Sequence, residues 1–286
     1  MRQSLTCLLG ACALLSACAR AHNSPAGSMA PPQWTLVWSD EFTGAVGSRA
    51  DSTKWRYETG DGCAVGNCGW GNGEKESYTS STDNVSLNGT GQLMITARTA
   101  LGISCYYGPC AYTSAKITTR GTVLAAPGRV EARIKLPNGQ GLWPAFWMLG
   151  GQFPAIPWPQ SGELDIMEHK GSESLTTSSA IHGPGYSGNT PFAHRNTLAR
   201  GSVPDEYHVY AVEWDSASVR FSVDSVPHYA VTRGEITRYG TWVFDQPMYV
   251  ILNLAVGGAF DGDPKSDAIV PATMLVDYVR VYVHAR

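Results

Sequence analysis

The sequence is poor in charged residues and has no strong excess of either sign. Only 16% of its 286 residues are charged, and the formal net charge is −3. Charge therefore gives no reason to expect nucleic acid or an anionic membrane surface as a partner. The chain also lacks an internal repeat, a second domain boundary and any helical period longer than a turn or two. These absences favour one large soluble domain that is not helical.

The only N-terminal apolar run, Leu5–Leu15, is too short to remain in a bilayer as a permanent anchor. It follows the short positive region Met1–Ser4 and ends in Leu15–Cys18, which resembles a bacterial lipoprotein signal whose cysteine is lipidated. Cleavage after Ala21, at an A-x-A site, is the alternative. The prediction is an exported cell-envelope lipoprotein anchored at Cys18, or a secreted protein if cleavage follows Ala21. Residues 1–18 are then a signal peptide with a lipobox, 19–33 a proline-containing linker and 34–286 the folded domain.

Cysteine is scarce, with seven residues in all, and three of them fall in the predicted signal. Export permits disulfides among the other four, Cys63, Cys68, Cys105 and Cys110, which allow three pairings. Pairing within each close pair is the simplest proposal, because both pairs lie in glycine-containing loop sequence. Zinc is the rival, but no histidine lies at ligand spacing near either pair.

Short alternating or apolar runs separated by Gly, Pro, Asn and Asp fill the chain after the linker. The runs are rich in Val, Ile, Thr, Tyr and Trp, which is typical of an all-β sandwich. They are Thr35–Trp38, Gln92–Arg98, Ala115–Thr119, Arg129–Leu136, Trp143–Leu149, Glu163–His169, Tyr207–Trp214, Ser218–Val223, Met248–Val256 and Thr273–Val283. Met248–Val256 is apolar almost throughout, which predicts a central strand covered on both sides. An N-terminal segment paired with the last strand would close the sandwich.

One predicted strand carries three carboxylates, Glu163, Asp165 and Glu168, among apolar neighbours. Unpaired buried charge is costly, so this pattern needs a reason. Glu163 and Asp165 share a face by alternation, and a β-bulge around Ile166-Met167 would bring Glu168 to the same face. The two glutamates would then lie roughly 5–6 Å apart, the spacing of nucleophile and acid/base in a retaining glycosidase. A charged edge strand or a metal cluster is the alternative.

Gly162–Glu168 resembles the E-x-D-x-x-E active-site strand of glycoside hydrolase family 16, in the variant with an extra bulge residue. Further family-like segments follow in order from about Trp34 to the C-terminus. They are Trp38–Phe42, Trp70–Glu74, Gly128–Pro137, Gly141–Gly150, Tyr207–Trp214, Leu252–Gly258 and Leu275–Val283. The resemblance implies a β-jelly-roll sandwich, concanavalin-like or lectin-like, with a concave glycan-binding cleft. It is greatest to the bacterial laminarinase branch, the endo-1,3-β-glucanases.

By this resemblance Glu163 is the nucleophile, Glu168 the acid/base and Asp165 an assisting carboxylate. The implied activity is retaining, endo-acting hydrolysis of 1,3-β-glucosidic bonds in laminarin-like or mixed-linkage glucans. A β-glucan is therefore the expected partner, no cofactor is needed for catalysis, and a monomer is expected. A galactanase acting on agarose or carrageenan, or a non-catalytic β-glucan-binding protein on the same fold, is the alternative.

Aromatic and polar residues around the carboxylates are candidate sugar contacts. Trp143 and Trp147 share one face of their strand, with core packing as the alternative. His182 resembles the family histidine that faces the nucleophile's subsite, with a purely structural role as the alternative. Asn72 and Glu74 match an N-x-E element of the family at the glycone end of the cleft, and Trp70, which is close to them in the sequence, is the remaining candidate.

The same resemblance implies a structural calcium ion on the convex face, with Glu41 and Asp277 as side-chain ligands. Solvated surface acids are the alternative there. The sequence also departs from the family pattern. Ala259-Phe260 stands where Asn-Trp is usual, and Lys116 replaces a common arginine whose bidentate contacts a lysine cannot make.

Overall fold

A computed structural model describes residues 34–198, 201–266 and 269–285. The predicted signal peptide and linker, residues 1–33, lie outside the described residues. The strands of the described part are β1 (Trp34–Asp40), β2 (Arg56–Glu58), β3 (Glu76–Tyr78), β4 (Val85–Leu87), β5 (Leu93–Thr99), β6 (Ser104–Cys105), β7 (Gly108–Pro109), β8 (Tyr112–Ser114), β9 (Lys116–Thr118), β10 (Arg129–Lys135), β11 (Leu142–Gly150), β12 (Glu163–Glu168), β13 (Thr176–His182), β14 (Phe192–Thr197), β15 (His208–Trp214), β16 (Ser218–Val223), β17 (Val226–Thr232), β18 (Met248–Val256) and β19 (Ala272–His284). The one α-helix of these residues, α1 (Arg233–Ile236), is a single turn closed by a capping box between Thr232 and Glu235. Among the described residues, no helix is long and apolar enough to cross a membrane.

Two large sheets build the domain. One has the strand order β17-β16-β15-β10-β19-β5-β8-β3, with β1 also paired to β19 and β4 to β5. The other has the order β14-β13-β12-β11-β18-β9-β2 and contains the carboxylate strand. Apart from the parallel β3–β8 pair, the pairings are antiparallel. The prediction of an all-β sandwich is confirmed.

The core lies between the sheets and follows the alternation of the sequence. In β10, Val130, Ala132 and Ile134 are fully buried, while Arg129 on the other face is 2.7 Å from Glu131 and 2.6 Å from Glu213. All nine residues of β18 are buried, as predicted for a central strand. The predicted closure is present too, because β1 pairs with β19 from Trp34 opposite His284 onward.

Both local disulfides are present, Cys63–Cys68 and Cys105–Cys110. The zinc alternative is therefore wrong for these four cysteines. Each bond closes a short loop, and Tyr106 of the second loop lies against Gly69, which follows Cys68. The loop around Cys105 also forms the two-stranded β6–β7 ribbon.

Candidate active site

A β-bulge sets the face on which Glu168 lies. Against β11, Asp165 pairs with Trp147 and Met167 pairs with Phe146, so Ile166 has no partner residue. Ile166 is 2% exposed and Met167 is fully buried. Two consecutive side chains that both enter the core break the strict alternation of a strand, and the bulge accommodates them. The predicted bulge is confirmed, and Glu168 returns to the face of Glu163 and Asp165.

A serine from the neighbouring strand satisfies the backbone at this bulge. The Ser179 hydroxyl donates a 2.8 Å hydrogen bond to the carbonyl oxygen of Ile166. Ser179 is 2% exposed, so no bulk water competes for that carbonyl. This hydrogen bond satisfies the carbonyl oxygen of Ile166, the residue that has no partner on β11. A buried carbonyl without a donor would lower the stability of the fold.

The carboxylates meet a histidine on the concave face. His182 lies opposite Glu163 in the β12–β13 register, and its Nε2 is 3.6 Å from Glu163 Oε1 and 3.2 Å from Asp165 Oδ2. Ligand atoms of these three residues all lie within 4.8 Å of one another. By distance alone, this cluster would also suit a metal ion, which is the alternative that the sequence leaves open.

Burial raises the pKa of all three carboxyl groups. It raises the pKa of Glu163, Asp165 and Glu168 to about 8 each. Repulsion from Asp165 adds to the rise in pKa at both glutamates, whereas His182 opposes it. Like charges this close do not all ionise together, so the cluster keeps at least one proton near neutral pH. That property suits a general acid.

The two tryptophans of β11 lie on the carboxylate face. Trp143 Nε1 donates a 3.0 Å hydrogen bond to Glu168 Oε1, and Trp147 Nε1 donates one of 2.7 Å to Asn253 Oδ1. Both side chains are half-buried. Phe146, between them in sequence, is fully buried in the core. Trp143 and Trp147 therefore lie on the face of β11 opposite the main core, although Trp147 also packs against a small buried cluster of Leu149, Tyr249 and Ile251.

A chain of hydrogen bonds joins Trp147 to the predicted glycone-side residues. Asn253 Nδ2 donates a 3.0 Å hydrogen bond to the Tyr78 hydroxyl. That hydroxyl in turn donates a 3.1 Å hydrogen bond to Glu74 Oε2. Asn72 Nδ2 donates a 2.9 Å hydrogen bond to the other carboxylate oxygen of Glu74. Glu74 is 5% exposed and both of its carboxylate oxygens accept hydrogen bonds, so it orders the loop. Asn72 is more exposed.

Lys116 occupies the floor of the cleft, although the sequence marked it only as a departure from the family pattern. Its Nζ lies 4.2 Å from the ring centre of Trp70 and 5.0 Å from that of Trp147, and forms a 3.1 Å ion pair with Glu58. Lys116 pairs in register with Asn253, which fixes it on the concave face. Its positive charge also lowers the pKa of Glu163, against the larger effect of burial.

Two further aromatic residues line the site that the sequence did not identify as sugar contacts. Phe260, in the Ala259-Phe260 pair that replaces the family's usual Asn-Trp, stacks on Trp143 with ring centres 4.9 Å apart. Trp158 lies 6.1 Å from the His182 ring. Both come from loops that precede or follow strands, and no local pattern distinguishes such residues from ordinary loop aromatics.

The predicted calcium ligands are engaged by arginines. Both oxygens of Glu41 accept 2.9 Å hydrogen bonds from Arg280, and Asp277 accepts one of 2.8 Å from Arg133. Arg280 also holds the pKa of Glu41 below its usual range. Both oxygens of Glu41 and one of Asp277 thus accept hydrogen bonds from guanidinium groups, which compete with a cation for these carboxylates. The calcium prediction gains no support here.

Comparison with known proteins decides between a metal cluster and a glycosidase. The family model described as "Glycosyl hydrolases family 16" matches residues 72–280. The chain belongs to glycosyl hydrolase family 16. It is 37% identical over 258 residues to a β-glucanase of Rhodothermus marinus, covering 88% of this chain and 86% of that protein.

Two solved family 16 structures share the fold. The endo-β-1,3-glucanase of Pyrococcus furiosus is 43% identical, with a TM-score of 0.84 over 89% of this chain and 96% of that one. The laminarinase catalytic domain of Thermotoga maritima MSB8 is 40% identical, with a TM-score of 0.83 over 88% and 99%. The predicted β-jelly roll and the predicted family are both confirmed. The chain is a glycoside hydrolase, a class of enzyme that uses a pair of carboxyl groups.

Proposed function

We propose that this chain is a retaining, endo-acting β-glucanase that hydrolyses 1,3-β-glucosidic bonds, with Glu163 as nucleophile and Glu168 as acid/base. The observation that carries the proposal is the bulge in β12, which brings both glutamates to one concave face beside Asp165. The similar β-glucanase and laminarinases support the choice of a β-glucan as substrate.

The first chemical step forms a covalent glycosyl-enzyme. A carboxylate oxygen of Glu163 bonds to the anomeric carbon while the glycosidic C–O bond breaks. The electron pair of that bond goes to the leaving oxygen, which takes the proton of Glu168. Trp143 donates to Glu168 Oε1 and thereby fixes the direction of the other oxygen, which holds the proton.

The second step releases the product and restores the enzyme. Water attacks the anomeric carbon and gives its proton to Glu168, while the electron pair of the Glu163 ester bond returns to Glu163. Net configuration at the anomeric carbon is retained after two displacements. Asp165, beside both groups and 3.2 Å from His182, shares the protons of the cluster with the two glutamates.

The substrate is tested with a reducing-sugar assay on laminarin, lichenan, agarose and carrageenan. Activity on laminarin, with lichenan as a second substrate, is expected. The product's anomeric configuration, followed by NMR during hydrolysis, should be β at first. Activity confined to a galactan, or an initial α product, would contradict the proposal.

A Glu163→Ala variant separates an enzyme from a glucan-binding protein. Its turnover should fall by several orders of magnitude, because no covalent intermediate can form, while it still binds laminarin. Glu173→Ala is a matched control, since Glu173 pairs with Arg195 at 2.9 Å rather than with the catalytic cluster. A wild-type protein that binds laminarin but never cuts it would favour the binding-protein alternative.

We propose further that the protein is exported and anchored through a lipid on Cys18, as a cell-envelope enzyme. The sequence Leu15–Cys18 and the two disulfides support this proposal, because disulfides persist in oxidising compartments. Labelling with a palmitate analogue in a bacterial host tests it. Label should enter the wild type and be absent from Cys18→Ser, whereas an unlabelled wild type cleaved after Ala21 would favour the secreted form.

A further inference from the structure

The two disulfide loops are joined through one aspartate. Asp61 Oδ1 accepts a 3.2 Å hydrogen bond from the backbone N–H of Cys63, and Asp61 Oδ2 accepts one of 2.6 Å from the backbone N–H of Tyr106. The ring of Tyr106 lies directly on Gly69, where an added methyl group would meet it at 3.0 Å. The position of Tyr106 is therefore fixed by both loops.

Tyr107 is fixed by its hydroxyl. It donates a 2.5 Å hydrogen bond to the carbonyl of Lys75 and accepts one of 2.8 Å from the backbone N–H of Ala111. The Lys75 ammonium lies 5.9 Å from the Tyr106 ring centre and 5.2 Å from that of Tyr107. Nevertheless the rings stay accessible, with Tyr106 40% and Tyr107 38% exposed. Two ordered aromatic rings thus remain open to solvent, at the entropic cost of ordering them, beside the half-buried Lys75, whose Nζ is also 3.9 Å from Asp263 Oδ2.

This surface continues the cleft. From Trp147, opposite Asp165 on β12, the concave face leads to Lys116 and then to the ring of Trp70, which lies over Lys116. Trp70 follows Gly69 directly, and Gly69 is in contact with Tyr106. The concave face therefore leads from the catalytic strand through Lys116 and Trp70 to Gly69, the residue against which Tyr106 packs.

We infer that Tyr106 and Tyr107, with Lys75, form a distal sugar-binding subsite that holds a glucose unit of a long β-glucan chain. The inference rests on the proposed glucanase function. An aromatic ring presents an apolar face that matches the C–H face of a pyranose, and the Lys75 ammonium can donate hydrogen bonds to sugar hydroxyls. Because the rings are already ordered, binding there loses little conformational entropy.

The test compares Tyr106→Ala with wild type on laminari-oligosaccharides of increasing length and on laminarin. For wild type, kcat/KM should rise with each added sugar until the chain reaches the loops. For the variant, short oligosaccharides should be cut as by wild type, whereas kcat/KM on the longest substrates should fall roughly three- to tenfold, the size of one aromatic contact. Tyr106→Trp should restore the long-chain rate. Val65→Ala, which truncates a 73% exposed side chain in the neighbouring loop, is the control.

Binding provides a second measurement that does not depend on turnover. In the Glu163→Gln background, adding Tyr106→Ala should weaken the binding of long oligosaccharides by the same factor and leave short ones unchanged. Equal losses at every chain length, or no loss at any length, would overturn the inference. Failure of the proposed function would be visible separately, as a wild type that cuts no 1,3-β-glucan of any length.

Discussion

At the scale of single residues, the charge state of Glu168 controls the first step. Burial and Asp165 raise the pKa of Glu168 to about 8, and only its protonated form can donate to the leaving oxygen. We therefore expect kcat/KM on laminarin to fall as the pH rises through about 8. Glu168→Gln should lose this alkaline limb when assayed with a dinitrophenyl glycoside, whose leaving group needs no proton. A limb that persists in the variant would assign it to another group.

Asp165 links the active site to the pH dependence of folding. Burial raises its pKa from 3.8 to about 8, so over that window the unfolded chain ionises Asp165 while the folded chain keeps it protonated. The free energy of unfolding should therefore fall as the pH rises across this window. Asp165→Asn should flatten that part of the profile in urea denaturation while lowering activity. An unchanged profile would mean that Asp165 is already ionised in the folded enzyme.

The sequence could predict which site residues of one strand lie together on a face. It could not predict which residues of different strands meet through pairing. Glu163, Asp165 and Glu168 are near neighbours in the chain, and their alternation with apolar residues indicates both the face and the bulge. Lys116 and Asn253 are 137 positions apart and meet only because β9 pairs with β18. The arginines that bond to Glu41 and Asp277 also lie far from them in the sequence, so these ion pairs could not be predicted either.

At the scale of elements, the bulge of β12 depends on Ser179 of β13. Without the hydroxyl, the buried carbonyl of Ile166 would lose its 2.8 Å bond, at a cost of about 1–3 kcal/mol. We expect Ser179→Ala to lower kcat while leaving KM nearly unchanged, because Glu168 follows the bulge and is displaced from the reacting oxygen. Ser179→Thr keeps the hydroxyl and should restore kcat. Equal activity in both variants would show that the strand register alone holds the bulge.

The two faces of β11 should respond differently to truncation. Trp143→Ala should lower activity on a long glucan by at least about tenfold, since it removes both the sugar-facing indole and the donor to Glu168. Its melting temperature should change little. Phe146→Ala, on the core face of the same strand, should instead cost about 3–5 kcal/mol of stability. A large loss of melting temperature for Trp143→Ala would mean that the indole supports the core.

At the scale of the whole molecule, every strand that the sequence predicted is present within a residue or two. The strands that it missed, such as β13, β14 and β17, contain serine, threonine, histidine or proline in place of a regular apolar alternation. Sheet order also escaped prediction, because pairing depends on contacts between segments far apart in the sequence.

The sandwich contains its own core and both disulfides, and Gln33–Arg286 forms one compact unit. A variant that lacks residues 1–32 should therefore fold, melt within about 2 °C of the full chain and keep its activity on laminarin. Calorimetry of the two proteins, both without lipid, checks this. A larger decrease in melting temperature would show that the N-terminal segment contributes to folding stability.

The pairing of the first described strand with the last determines how the domain responds to mechanical force. Trp34 lies opposite His284, with ring centres 4.2 Å apart, so tension on both ends enters at one end of the antiparallel β1–β19 ladder, while β10 holds the other side of β19. Such a load peels β1 from β19 one hydrogen bond at a time instead of shearing many together. The catalytic strand β12 belongs to the other sheet, outside this force path. A pull on the termini would therefore unzip the margin of the domain while the reacting groups keep their arrangement.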